Sequence, residues 1–419
     1  MFVPRLARSY SVPVAAALAA TWTVIGVCAA AGAGEPPGYR VELGRAGQGF
    51  DGKTCWVHAR VGAIPPRAPG NPHDRPMLVL TMQKLLLSGS DVFYALHTQR
   101  SGDLGRTWTE PTAQPTLARH TNPDGTETAI CDFTPKWHAA TGKLLGTGQT
   151  VWYKDNRVMH VRPRHTGYSV YDPQQDRWSQ YELLEMPREA RFANAGGGSA
   201  QRYDLPGGDV LLPIYFKEPA ERQYSVTVVR CRFDGQRLTY VEHGDEMTIP
   251  VARGFFEPSL TSFQGRFYLT IRNDAHGYVT SGSDGLHFDE PKKWTFDDGA
   301  ELGNYNTQQH WVTHSDGLFL AYTRRGADND HVFRHRAPLF IGRVDPKRLC
   351  VIRSTERVLV PERGARLGNF GVVDVSPQES WVTVTEWMQP RGCEKHGSDN
   401  SIWLVKIKWA RPNRLVPAR

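Results

Sequence analysis

A few arginines, one glutamate and a set of histidines carry most of the reactive chemistry in this 419-residue chain. Glu257 opens the run Glu257-Pro258-Ser259-Leu260, and Arg272 follows a turn glycine at Gly265. Arg324 and Arg325 stand directly behind the apolar run Leu318–Thr323, and Arg60 lies in Trp56-Val57-His58-Ala59-Arg60. A planar guanidinium forks onto a carboxylate, so Arg272, Arg324 and Arg60 are candidates for holding an acidic ligand. A structural ion pair between neighbouring strands accounts for Glu257 and Arg272 equally well.

His58 and His310, the latter in Tyr305-Asn306-Thr307-Gln308-Gln309-His310-Trp311, are candidates for general acid and base, with Tyr305 in reserve. The stretch Asp328–Arg336 holds His331 and His335 among charged groups, and His97 ends another apolar run. These three imidazoles could orient a ligand or hold a divalent cation such as Ca2+; no other cofactor is called for. Histidines and arginines without a paired acid and nucleophile suit β-elimination beside a uronate. There the C5 proton is acidified once the carboxylate is neutralised, His or Tyr removes it, and a second group protonates the departing O4.

Such groups need rigid elements to carry them, and the chain supplies short strands. Runs such as Met77–Met82, Asp91–His97, Lys143–Val151, Asp209–Phe216, Tyr224–Phe233, Arg266–Arg272, Leu318–Thr323, Pro338–Val344 and Trp381–Trp387 recur between turn signals. No helix of three or more turns is evident. The 40 Gly and 29 Pro punctuate the strands, and 12 Trp supply flat bodies for packing between sheets. The loops His58–Asp74, Asn194–Leu205, Gly299–His310, Arg324–Arg336 and Arg363–Phe370 are the places to look for a pocket.

Arg5 and Arg8 precede an apolar run from Val12 to Val27 and then small residues, the pattern of a secretory signal ending near residue 33. Its removal lowers the formal charge of +7 by two; the remaining surplus is scattered, which excludes a nucleic-acid footprint and suits acidic ligands. No later segment is long and apolar enough to span a bilayer. Cys55, Cys131, Cys231, Cys350 and Cys393 are odd in number and show no metal-ribbon spacing, so buried free thiols are the simpler account.

The octapeptide Ser101-Gly102-Asp103-Leu104-Gly105-Arg106-Thr107-Trp108 resembles the Asp-box (BNR-repeat) signature of the sialidase superfamily at all five of its defining positions. A weaker copy, Ser281–Phe288, keeps the leading Ser, the Gly and a final aromatic, with Ser283 in the Asp position. The resemblance implies an all-β, six- or seven-bladed sialidase-like β-propeller as a single domain over residues 34–410, behind a signal peptide at 1–33 and ahead of a tail at 411–419. Sialidases use three arginines, an Asp acid and a Tyr nucleophile set up by a Glu. Glu257 and Arg272 match that pattern, and Arg324 or Arg325 falls near the third arginine. The first arginine is replaced within Ala63-Ile64-Pro65, Gln83–Ser90 contains no carboxylate for the acid, and Phe370 stands near the nucleophile position.

The segments Cys55–Arg60, Asn306–Trp311 and Asp330–Arg336 are similar to the sialidase-fold rhamnosyl-glucuronate lyases, which implies elimination with His as acid and base. The expectation is therefore a secreted or periplasmic, monomeric enzyme acting on an acidic oligosaccharide or polysaccharide. Hydrolytic exo-α-sialidase activity and non-catalytic glycan binding are the alternatives.

Overall fold

The computed structural model describes residues 38–417; the expected signal segment lies outside them. The described residues form six sheets, every strand pair antiparallel, and no α-helix. The main strands of each sheet follow one another in chain order, apart from the N-terminal strand of the last. The first runs Thr54–Ile64, Met77–Leu86, Phe93–Ser101 and Thr112–Ala113. The last is Gly371–Ser376, Glu379–Thr385 and Ile402–Trp409, completed by the N-terminal strand Tyr39–Gly47. Joining the chain's two ends in one sheet pairs edges that an open array would leave bare, as a closed β-propeller requires.

The apolar pattern explains why the sheets stack. Strands such as Asp209–Phe216 and Glu379–Thr385 are buried on both faces. Their side chains meet those of the next sheet: Leu145, Leu212 and Val229 share one inter-sheet cluster, and Val312, Val382 and Val405 share another. The runs expected at Asp209–Phe216 and Arg266–Arg272 are strands with those bounds. The run expected to start at Asp91 starts instead at Phe93; Asp91 has φ +54°, outside the extended range. All five described cysteines are buried and free.

The Ser101–Trp108 turn explains its own residue choice. Asp103 accepts from the N–H of Arg106 and Thr107 at 3.0 Å each and from the Thr107 hydroxyl at 2.7 Å, while Gly105 takes φ +73°. In Ser281–Phe288 the carboxylate has moved one place along. Asp284 accepts from the N–H of Leu286 and His287, and the His287 ring replaces the threonine hydroxyl at 2.7 Å. Asp172, Asp234 and Asp345 close the equivalent turns of three other sheets through the same pair of backbone donors.

At the opposite, inner edge, each sheet has a left-handed residue in or beside one of its early strands: His58, Asp132, Ser199, Glu257, Asn306 and Asn369, with φ between +47° and +61°. Three of them sit at register shifts, between Val57 and Arg60, Cys131 and Thr134, and Phe256 and Ser259. A bulge turns a side chain out of its alternation, and positive φ in a non-glycine residue is sustained only where the surroundings over-determine it.

Candidate functional site

Four of these residues connect directly through polar contacts, and Arg272 joins the other two. Asn369 Nδ2 lies 3.0 Å from His58 Nε2 and 3.2 Å from Asp132 Oδ1. The Ser199 hydroxyl donates to Asp132 at 2.6 Å, and Arg60 Nη2 donates to Ser199 at 3.0 Å. Across the ring, Arg272 donates to Glu257 at 2.6 Å and to Asn306 at 2.9 Å. Burial opposes ionisation of Asp132, yet the His58 imidazole, which takes a charge only in acid, the Arg60 guanidinium and hydrogen bonds from Ser199 and Gln149 hold its carboxyl below the ordinary range. Burial pushes the His58 imidazole down, leaving it neutral at pH 7.

Above this ring opens a cavity of about 330 Å³. Its wall holds seven arginines, Arg162, Arg164, Arg253, Arg272, Arg334, Arg336 and Arg366, against four carboxylates, Asp91, Asp132, Glu257 and Asp274. Arg272 is paired with Glu257, and Arg253 holds Asp274 at 2.7 Å. The other five have no carboxylate partner among the described residues. Arg336 gives one N–H to the Asn306 carbonyl, Arg366 one to Gln389, and the Nε of each is buried without a partner. Burial drives the Arg336 guanidinium well down, with the charges of Arg272, Arg366 and Arg334 adding to it, and drives Arg366 down to about 10. A guanidinium does not give up its proton near neutrality, so it lowers its energy by taking an anion. The Oε2 of Glu257 and the Oδ1 of Asn369 are likewise buried without partners.

Local backbone choices bring these side chains in. Arg334 and His335 both have positive φ on the short turn Phe333–His335, which carries the chain sharply back from Asn329 to Arg336. Gly368 leaves room for Arg336: a Cβ there would meet its Cδ and Nη1 at 3.0 Å. On the other wall, a Cβ on Gly196 would lie 2.7 Å from Arg164 Cδ.

Two tyrosines from one sheet face the same space, with ring centroids 5.5 Å apart. Arg164 lies over both, 4.5 Å from Tyr215 and 5.4 Å from Tyr224. Burial raises the Tyr215 phenol. Burial would raise Tyr224 too, but Arg164, then Lys217, Arg162 and Arg253, outweigh it and bring the phenol down.

Of the residues expected from sequence, Glu257 and Arg272 line the cavity; His58 and Arg60 lie one layer beneath, behind Asp132 and Asn369. His310 is buried against Ser259 at 2.8 Å and beside Phe370, and burial pushes it down to about 3. Arg324 does not reach the cavity: it is engaged twice by Glu356, at 2.9 and 2.7 Å, and Arg336, twelve residues on, takes the wall position instead. Tyr305 and His335 bond each other at 2.5 Å, His331 pairs with Glu362, and His97 sits edge-on to Trp56. None of these four lines the cavity, and among the described residues no group of three or more His, Cys, Asp or Glu is placed to hold a metal ion. The stretch before Asp91 lacks a carboxylate, as expected, but Asp91 itself stands on the cavity wall because its left-handed backbone ends that loop there.

No protein-family model and no curated protein matches the chain. Solved structures do. The Hadza microbial sialidase Hz136 superposes with a TM-score of 0.58 at 11% identity, over 87% of this chain and 66% of that one. The NanB sialidase of Streptococcus pneumoniae gives 0.56 at 10% identity, over 87% and 70%. The α-L-arabinanase of Penicillium chrysogenum, complexed with arabinobiose, gives 0.51 at 10% identity, over 91% and 100%. The chain spans just under two thirds of the length of Hz136. The fold is that of the sialidase-like β-propellers.

Proposed function

We propose that this chain is a carbohydrate-active enzyme that seats the carboxylate of an acidic sugar among Arg272, Arg336 and Arg366 and breaks the adjacent glycosidic bond by β-elimination. The observation that carries the reading is the cavity wall: buried guanidinium groups, Arg336 and Arg366 among them without carboxylate partners, facing a space at the lower end of the range for small-ligand pockets. With the sugar carboxylate neutralised, the C5 proton becomes acidic. Tyr224, lowered by Arg164, takes that proton; the C5–H pair forms the C4=C5 double bond, and O4 leaves with a proton from Tyr215. The tyrosines therefore replace His58 and His310 as acid and base, because both imidazoles lie behind the cavity wall. The likeness to sialidases and an arabinanase supports a glycan as the ligand. We further take the six sheets as six blades, and residues 1–33 as a signal that sends the protein to the periplasm or beyond.

Incubation with glucuronate-bearing glycans should release a product that absorbs in the ultraviolet as an unsaturated uronate. Binding without any cleavage would overturn the enzymatic reading in favour of a glycan-binding propeller.

A second reading, hydrolysis, is favoured by Asp91 on the cavity wall and by Glu257 Oε2, unpartnered and close enough for its charge to raise Tyr215. Cleavage of glucuronate glycans without the absorbance, or release of an aglycone from a sialoside, would support it against elimination.

A further inference from the structure

One bound carboxylate leaves a good part of the cavity's positive charge unanswered. Arg334 and Arg336 precede the strand Leu339–Asp345, Arg366 follows the strand Arg357–Val360 of the same sheet, and together with Arg272 they form one group. Arg162 and Arg164 come from a different place, the segment between Arg157–Val158 and Thr166–Asp172. Each group has its own surroundings. Arg336 feels the charges of Arg272, Arg366 and Arg334, whereas Arg164 feels Tyr215, Tyr224 and Cys131.

The second group is built as a binding site. Arg164 is 8% exposed, has no carboxylate partner, and keeps Nη1 buried without any partner. Arg162 gives Nη1 to the Met159 carbonyl and leaves Nε unpartnered. Gly196 lets Arg164 pass where a side chain would displace it. A buried guanidinium with no carboxylate beside it and one N–H unsatisfied gains from a ligand that supplies both.

We propose that Arg162 and Arg164 form a second anion subsite, which takes a further negatively charged group, a sulfate ester or a second carboxylate, on the same glycan. The substrate class is then a doubly anionic glycan. This rests on the reading of the cavity as the glycan site, but not on the reaction that follows.

Titration calorimetry with three probes tests it: a glucuronate disaccharide carrying one carboxylate, its O-sulfated form, and a disaccharide of two uronates. The wild type should bind at least one doubly charged probe about tenfold or more tightly than the singly charged one. Preference for the sulfated probe assigns sulfate, and preference for the diuronate assigns carboxylate. Arg164→Gln, and Arg162→Gln at a less buried position that spares the fold, should bring that ratio towards one. Arg336→Gln should weaken all three probes and keep the ratio. Equal binding of all probes by the wild type, or a ratio that survives both substitutions, overturns the proposal. Because the titration reads binding alone, it stands even if no probe is cleaved.

Discussion

His310→Gln should make the protein less sensitive to mild acid. The imidazole is 3% exposed, its Nδ1 is 2.8 Å from the Ser259 hydroxyl, and burial brings it from an ordinary 6.5 to about 3. Between those two values the unfolded chain binds a proton that the folded one refuses, so this group makes stability fall as pH falls from 6.5 towards 3. At roughly pH 4.5 the unfolded state has gained about two pH units of protonation free energy, or about 3 kcal/mol at 1.36 kcal/mol per unit. Glutamine keeps a polar partner for Ser259 and does not titrate. Urea unfolding of both proteins near pH 7 and near pH 4.5 should therefore show the wild type losing about 3 kcal/mol more than the variant between the two conditions. His58 and Asp132 also drive acid unfolding, but they are common to both proteins and cancel in the difference. Equal losses would refute the reasoning: His310 would then be free to protonate in the folded state, and its claim as an acid or base would be restored.

Two other outcomes follow from the same geometry. Tyr224→Phe should abolish turnover of a uronate glycan while changing its Kd by less than about threefold; in the wild type, kcat should rise with pH through a phenol titration below the ordinary tyrosine range, which a rate profile would reveal. Arg324→Gln should cost about 2 kcal/mol in urea unfolding, because it leaves Glu356 without its two guanidinium bonds, yet it should leave KM unchanged since the residue does not touch the cavity.

The architecture was legible because its signals are local. Asp103, Gly105 and Thr107 sit within one turn, and their types alone dictate the hydrogen bonds that the turn makes. Asp284 shows the limit of pattern matching: the carboxylate serves from the neighbouring position with the same backbone partners. At the site, Glu257 and Arg272 were legible because adjacent strands of one sheet hold them together. Arg162, Arg164, Arg336 and Arg366 were not, because they are ordinary-looking arginines on loops of different sheets that are far apart in sequence and meet only at the cavity wall. Arg336 did lie in the dense Asp328–Arg336 stretch, which was the available signal. Tyr215 was hidden for another reason: its strand is buried on both faces, so alternation does not mark the side that meets the cavity. The histidines drew attention by type, but both are enclosed by protein groups: His58 bonds Asn369 beneath the site, and His310 bonds Ser259.

The central claim is that unpaired guanidinium groups of the cavity bind a sugar through its carboxylate. The most direct measurement compares a glucuronate disaccharide with its carboxyl-reduced counterpart, identical except for –CH2OH in place of –COO⁻, by calorimetric titration of the wild-type protein. The charged sugar should bind at least about tenfold more tightly, as expected for the loss of a charge-assisted hydrogen bond worth about 1.5–3 kcal/mol. Equal affinity for the two sugars would contradict the account.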